Sequence, residues 1–240
     1  MKILLTTIAT EKYAKFLPEL IRTYQMYFLA AEETKLLILN DDSSAFSSYN
    51  DFVLDYQIEH PGWPYVTLFR YKLLLMVESL ILNYDYVYYI DADMKFASAI
   101  GKEILPQPGS PGGDASGLVA TTHPRYYMNG TRGKFEQNPE SEVYIPPFYS
   151  GIYYQACFWG GRTDAVLKMM EILRDLTECD LRKGVITRWW DEAYLNWYVM
   201  HNKPEVTLTP AYAWPEGRRC TYPKKIVHIA KDNARMRQPS

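Results

Sequence analysis

Cysteine is scarce in this chain: three in 240 residues, at Cys157, Cys179 and Cys220. So few and so scattered, they supply neither a disulfide framework nor a Cys-based zinc site, which points to a reducing compartment. Cys157 is expected to pack as a small hydrophobe. An excess of positive charge is also missing. The formal charge of −2 leaves no broad basic field to drive sequence-independent nucleic-acid binding, so nucleic acid is excluded as a partner. No apolar run reaches the length of a membrane span. The opening residues 1–10, with one charge and a short apolar run, read as a first strand and lack the extended core of a signal peptide. The expectation is a soluble cytoplasmic protein. No Gly-x-Gly-x-x-Gly follows the first strand and no Gly-Lys-Ser/Thr follows any strand, which argues against dinucleotide dehydrogenases and P-loop NTPases.

What remains is substantial. With 48% hydrophobic residues, 240 residues bury a sizeable core as one α/β domain or two small lobes. Tyrosine is the outlier, at 21 beside 6 Trp. Aromatic rings suit stacking on the C–H faces of sugars, and they serve ordinary cores equally well.

The organising stretch is 83–97. Tyr86-Val87-Tyr88-Tyr89-Ile90 has the length and the aromatic and β-branched content of a strand buried on both faces, and it ends abruptly in Asp91-Ala92-Asp93. Ligands of open α/β sheets bind at the carboxyl ends of strands. Two hard oxygen donors one residue apart there suit Mg²⁺ or Mn²⁺ bound together with substrate phosphates. A turn or helix cap after a strand would use the same residues.

Around it, strands are expected at 2–8, 35–40 and 53–58, with a helix from about residue 10 to 30 and another over 68–82. Strands alternating with helices predict a largely parallel sheet and one doubly wound nucleotide-binding half. A Gly, Pro and Ser-rich surface loop is expected at 101–117, and strand 117–122 is followed by His123. Residues 128–147, charged and with little periodicity, look like a mobile lid or substrate loop. An aromatic strand ending in Gly160-Gly161 precedes an amphipathic helix over 162–177. The small residues there serve close packing or leave room for a ligand. Asp191-Glu192 then opens a further helix; spacing alone also allows a charged first turn favoured by the helix dipole. The basic tail, Lys231, Arg235 and Arg237, reads as a disordered end or as a clamp over a phosphate.

Taken in order, Tyr-Ile-Asp-Ala-Asp-Met-Lys-Phe, His123-Pro124, Tyr144-Ile145-Pro146, Tyr153-Tyr154 through Phe158, Gly160-Gly161, Asp191-Glu192 with Leu195-Asn196, Asn202-Lys203-Pro204 and Pro210-x-Tyr212-x-Trp214 resemble one family. It is glycosyltransferase family 6, the retaining α1,3-galactosyl- and N-acetylgalactosaminyltransferases that include the blood-group A/B enzymes. The resemblance runs from about residue 1 to 237. It implies a GT-A fold: an α/β architecture with a mostly parallel central sheet flanked by helices and a smaller acceptor-side part. A single catalytic domain would span 1–240, with a nucleotide-binding half over about 1–97, an acceptor and catalytic half over about 98–225, and a basic tail from about 226 closing on the donor.

The resemblance also implies transfer of Gal or GalNAc from its UDP-sugar to a hydroxyl of an oligosaccharide or other glycan acceptor, forming an α1,3 linkage with retained configuration. Asp91 and Asp93 resemble the pair that holds Mn²⁺, or Mg²⁺, against the diphosphate, with Ala92 between them on the donor. Ile8, Ala9, Thr10 and Tyr13 stand where the family holds uracil and ribose, and Arg70 where it has a donor-side arginine. Glu192 resembles the catalytic acidic residue, and Asp191 one that holds donor hydroxyls. Gln155 and Cys157 occupy positions that help choose Gal against GalNAc and match neither familiar pairing. Besides Glu192, the acceptor side would comprise His123, Trp189 and Trp214. Lys231 and Arg237 match the tail cations that close on the pyrophosphate. The Asp-Ala-Asp sequence, where many bacterial relatives have Asn-x-Asn, implies metal dependence. Trp190 replaces a vertebrate His and Pro215 an acidic acceptor contact. No anchor or stem precedes the domain, which suits a bacterial or viral member. Two other readings are a phosphohydrolase with Asp91 as nucleophile and a noncatalytic glycan-binding module; Lys95 stands where the former normally has Thr or Val.

Overall fold

The computed structural model describes residues 1–42, 51–106, 116–220 and 223–236. Most of the loop expected at 101–117 falls outside these residues, as does Arg237. The elements in order are β1 (Lys2–Ile8), α1 (Leu17–Tyr27), β2 (Glu33–Asn40), β3 (Val53–Gln57), α2 (Tyr65–Leu68), α3 (Arg70–Leu75), α4 (Glu78–Ile81), β4 (Tyr86–Ile90), β5 (Met94–Phe96), β6 (Leu118–Thr122) and α5 (Pro124–Asn129). There follow β7 (Tyr154–Arg162), α6 (Thr163–Arg182), α7 (Asp191–His201), β8 (Val206–Leu208), β9 (Trp214–Pro215), β10 (Ile226–His228) and α8 (Asn233–Met236). The helix expected from about residue 10 begins instead as a 3₁₀ segment over Glu11–Phe16, and the one expected over 68–82 is split into α3 and α4.

Seven strands form the central sheet in the order β3-β2-β1-β4-β7-β6-β8. Four of the six neighbouring pairs are parallel, and β7 runs antiparallel to both β4 and β6. This is the mostly parallel, helix-flanked α/β sheet that the resemblance implies. β4 is buried throughout, and its period of two divides it cleanly. Tyr86, Tyr88 and Ile90 enter the core packed against α1, while Val87 and Tyr89 enter the core packed against α3, α6 and α7.

The glycine pair of β7 is there for packing. A Cβ on Gly160 would stand 2.4 Å from the Val87 carbonyl oxygen, and one on Gly161 would stand 2.0 Å from that of Gly117. Nearer the sheet's carboxyl edge, the pairing of β6 with β7 slips between Ala120 and Thr121: Ala120 faces Trp159, and Thr121 faces Gln155. This bulge takes Ala156 out of the β6–β7 pairing and re-aims its main-chain groups, while Cys157 and Phe158 stay bonded to the β4 side.

A second sheet, β5-β10-β9, folds the C-terminal segment back across the end of β4. His228 pairs with Met94, and the Ile229 N–H donates to the Asp93 carbonyl at 2.9 Å. The tail beyond β10 is therefore aimed at the Asp pair by main-chain pairing. Residues 128–147 are largely irregular, but they are not held by their ends alone. Asp180 accepts from Ser141 Oγ and the Glu142 N–H, both at 2.7 Å, and buried Glu136 accepts from the Arg188 N–H at 2.6 Å. The charge that suggests a solvated lid is partly spent on inward anchors.

Candidate active site

β1 and β4 end side by side, and the turn after β4 places Asp91 and Asp93 at the sheet's carboxyl edge. A cleft of ≈ 410 Å³ opens there. Thirteen of the residues singled out by sequence line it: Ile8, Thr10, Tyr13, Arg70, Asp91, Ala92, Asp93, Gln155, Cys157, Trp189, Asp191, Glu192 and Lys231. Ala9 is fully buried behind the wall.

His123 and Trp214 do not line the cleft. His123 caps α5, its Nδ1 accepting from the Arg125 N–H at 3.1 Å, and its ring lies 5.8 Å from that of Tyr153. Burial and the nearby His228 lower its pKa to about 4, so its imidazole is neutral. Trp214 is buried in β9 and donates from Nε1 to the Arg218 carbonyl.

Arg70 ties the site together. It opens α3, is only 8% exposed, and donates from Nη1 to Asp191 Oδ2 at 2.5 Å and to the Ala156 carbonyl at 2.8 Å, and from Nη2 to Asp91 Oδ1 at 2.9 Å. Its guanidinium also stacks over Tyr89, 4.3 Å from the ring centroid. Burial disfavours this cation, but Asp191, Tyr89 and Asp91 outweigh burial and hold it protonated. Tyr89 reinforces the arrangement by donating its hydroxyl to Asp91 Oδ1 at 2.9 Å. Removing the cation alone would leave the buried Asp191 carboxylate, with the half-buried Asp91 near it, without its counter-charge. Arg70→Met is accordingly expected to destabilise the fold by roughly 3–5 kcal/mol, read as a lower urea midpoint at unchanged slope.

Asp191 and Glu192 are more than a charged first turn. Trp190 enters α7 at φ 48°, a left-handed conformation that a bulky residue adopts only under constraint. Thr187 Oγ1 donates to the Trp190 carbonyl at 3.0 Å, Tyr71 donates its hydroxyl to the Asp191 carbonyl at 3.0 Å, and the Trp190 ring packs edge-on to Trp63. The strained entry turns both carboxylates inward. Glu192 Oε1 accepts from the Tyr153 hydroxyl at 2.8 Å and Oε2 from the Ala156 N–H at 3.1 Å. Ala156 thus gives its N–H to Glu192 and its carbonyl to Arg70, both made available by the bulge in β7. Asn196 locks helix to strand, bonding the Tyr154 N–H at 2.9 Å and carbonyl at 2.8 Å. Burial pushes Glu192 up to about 8 against the pull of the Tyr153 and Ala156 hydrogen bonds, and pushes Asp191 up to about 7 against Arg70.

Across the cleft, Lys231 donates to Asp93 Oδ2, with its ammonium 4.8 Å from the Tyr13 ring centroid. Each member of the Asp pair therefore faces a cation, Arg70 or Lys231. Among the described residues no group of three or more His, Cys, Asp and Glu side chains is arranged to hold a metal. A divalent cation at Asp91 and Asp93 would need ligands from outside the chain, and two carboxylates completed by phosphate oxygens and water are what Mg²⁺ or Mn²⁺ accepts. The donor set fits such an ion.

Some lining residues escape sequence reasoning. His60 and Trp63 sit in a stretch that shows only turn signals, and a hydrogen bond and a ring contact mark them where no local pattern does. Tyr153 stands outside the lining, and only tertiary structure brings it to the glutamate 39 residues away.

The sequence profile of Glycosyltransferase family 6 matches residues 1–237. The chain is 30% identical over 228 residues to the O-antigen biosynthesis glycosyltransferase WbnI of Escherichia coli, covering 94% of this chain and 93% of that protein. It is 26% identical over 220 residues to the Histo-blood group ABO system transferase 2 of Rattus norvegicus, and 26% over 222 to the Globoside alpha-1,3-N-acetylgalactosaminyltransferase 1 of Gallus gallus. Those alignments cover 88% and 89% of this chain but only 63% and 62% of the two animal proteins.

Proposed function

The chain belongs to glycosyltransferase family 6, and from that premise we propose that it moves Gal or GalNAc from a UDP-sugar to a hydroxyl of a glycan acceptor, forming an α1,3 linkage with retained anomeric configuration. The observation that carries this reading is the opposition within one cleft. Asp91, Asp93 and Lys231 stand at the end of β4, and Glu192 stands beyond them with both carboxylate oxygens fixed by Tyr153 and Ala156. Breaking a sugar–phosphate bond puts positive charge on the anomeric carbon and negative charge on the departing nucleotide. An anion is wanted on one side and cations on the other.

A divalent ion held by Asp91 and Asp93 would supply a Lewis acid for the diphosphate. The chain's own groups do the rest. Lys231 offers charge-assisted hydrogen bonds to phosphate oxygens, with Arg237 proposed beside it. Arg70 fixes Asp91 toward the diphosphate and Asp191 toward the sugar hydroxyls. Glu192 faces the anomeric carbon. Its negative charge is costly where the side chain is buried and is compensated when cationic character develops opposite it, which favours the transition state over the ground state. Ile8, Thr10 and Tyr13 supply the nucleoside surface, Gln155 and Cys157 border the sugar, and Trp189 opens toward the acceptor, with His123 and Trp214 as outer supports. The nucleotide half is assigned to about 1–97 and the catalytic half to about 98–225.

A screen of UDP-Gal, UDP-GalNAc, UDP-Glc and UDP-GlcNAc for hydrolysis with Mn²⁺ tests the proposal. One of the galacto-configured donors is expected to be consumed, with release of UDP and a sugar of retained configuration by NMR. Release of inorganic phosphate from simple phosphomonoesters, with no donor consumed, would overturn it.

A further inference from the structure

One carboxylate and one imidazole in the cleft have no part in the chemistry above. Glu11 follows β1 almost directly, His60 lies in the loop after β3, and both line the cleft. Glu11 has φ 48°, and its backbone N–H is taken by both oxygens of Asp41 at 3.1 and 3.0 Å. A non-glycine residue persists in that region where its surroundings over-determine it, often at ligand sites. His60 is fixed from the other side, with Nδ1 2.7 Å from Thr10 Oγ1. When the Thr10 hydroxyl donates to Nδ1, the ring proton sits on Nε2. Nε2 then faces Glu11 Oε2 across 3.6 Å, too far for a direct hydrogen bond. A ligand hydroxyl entering that gap can donate to the carboxylate while a neighbouring oxygen accepts from Nε2–H.

The sheet order says which ligand group reaches the pair. β1 lies between β4 and β2, and β3 lies beyond β2. Glu11, just past β1, therefore sits about one to two strand spacings, roughly 5–10 Å, from the Asp pair on the side opposite β7, and His60 reaches back to it from the loop after β3 through its contact with Thr10. A nucleoside diphosphate anchored at Asp91 and Asp93 carries its ribose over such a distance. Resting on the nucleotide-sugar reading, we infer that Glu11 and His60 clasp the 2′- and 3′-hydroxyls of the donor ribose. A vicinal diol presents a donor and an acceptor side by side, and a carboxylate on ribose hydroxyls is a recurring solution in nucleotide-binding sheets. The apolar and aromatic surfaces of Ile8 and Tyr13 are left for the base.

The test is calorimetric binding of UDP, 2′-deoxy-UDP, 3′-deoxy-UDP and CDP, with Mn²⁺, to the native chain and to Glu11→Gly, Glu11→Gln and His60→Phe. The native chain is expected to bind each deoxy nucleotide roughly ten- to a hundredfold more weakly than UDP. In Glu11→Gly and His60→Phe that preference shrinks to within about threefold, with the UDP-to-CDP ratio unchanged. Glycine accepts the positive φ without strain, so Glu11→Gly is also expected to raise Tm by roughly 2–4 °C, which separates a lost ribose contact from a damaged fold. Equal weakening of UDP and its deoxy forms, or a change in the UDP-to-CDP ratio instead, would overturn the ribose assignment. A native chain that binds no UDP at all overturns the donor reading together with this inference.

Discussion

Glu192→Gln is expected to slow transfer by at least about 10³-fold while leaving UDP affinity within about threefold, because in the proposed mechanism the lost charge faces the reacting carbon and not the nucleotide. The amide fits the same place. Its oxygen can accept from the Ala156 N–H and its NH₂ can donate to the Tyr153 oxygen, so the hydrogen-bond frame of the glutamate survives. The pH dependence gives a second readout. With Glu192 pushed up to about 8 by burial, its carboxyl is mostly neutral near pH 6. The kcat/KM of the native enzyme should therefore climb between pH 6 and 8.5, and the residual rate of the variant should be flat through the glutamate's range.

Stability moves the opposite way. The folded state keeps the Glu192 proton far above the usual glutamate value of 4.5, so the contribution of this group is full below that pH and is lost as pH rises through about 8. The native Tm should fall across this window more than that of Glu192→Gln. Unchanged turnover in the variant would remove Glu192 from the mechanism.

The parts of this site that are local in sequence were legible there. A strand of alternating large residues, terminated by two carboxylates, states both its burial and the place of its carboxylates within eight residues. β4 does place Tyr88 and Tyr89 in opposite cores, with the Asp pair at its end. Glu192 is different. Its first-turn position has an ordinary electrostatic explanation, and only tertiary structure brings up Tyr153 from 39 residues away and the Ala156 N–H from 36. Arg70 and Asp191 meet across 121 residues, a pairing that no window of sequence contains. The bulge between Ala120 and Thr121 is invisible for a related reason: it is a mismatch between two strands, not a property of either. The tail shows the same limit. Its charge was readable, but its direction comes from three residues of β10 pairing with β5.

That pairing bears on the other large effect. Asp93→Asn is expected to abolish the gain in UDP affinity that Mn²⁺ gives the native chain and to lower transfer by roughly 10²–10⁴-fold, the equivalent of several kcal/mol of lost charge stabilisation. Two consequences of one substitution add here. The site loses a hard anionic ligand, and Lys231 loses the carboxylate on which it is held. Asp93 is 2% exposed, so the neutral amide leaves the ammonium at the cleft without its counter-charge. Segment 229–236 should then dock less firmly, read as faster cleavage by limited proteolysis after Lys231 or Arg235. Lys231→Met separates the two contributions. It leaves both aspartates in place, so Mn²⁺ should still tighten UDP binding while turnover falls. Native UDP affinity and turnover that are the same in chelator as in Mn²⁺ would overturn the metal assignment, and the Asp pair would then act only as the partner of Arg70 and Lys231.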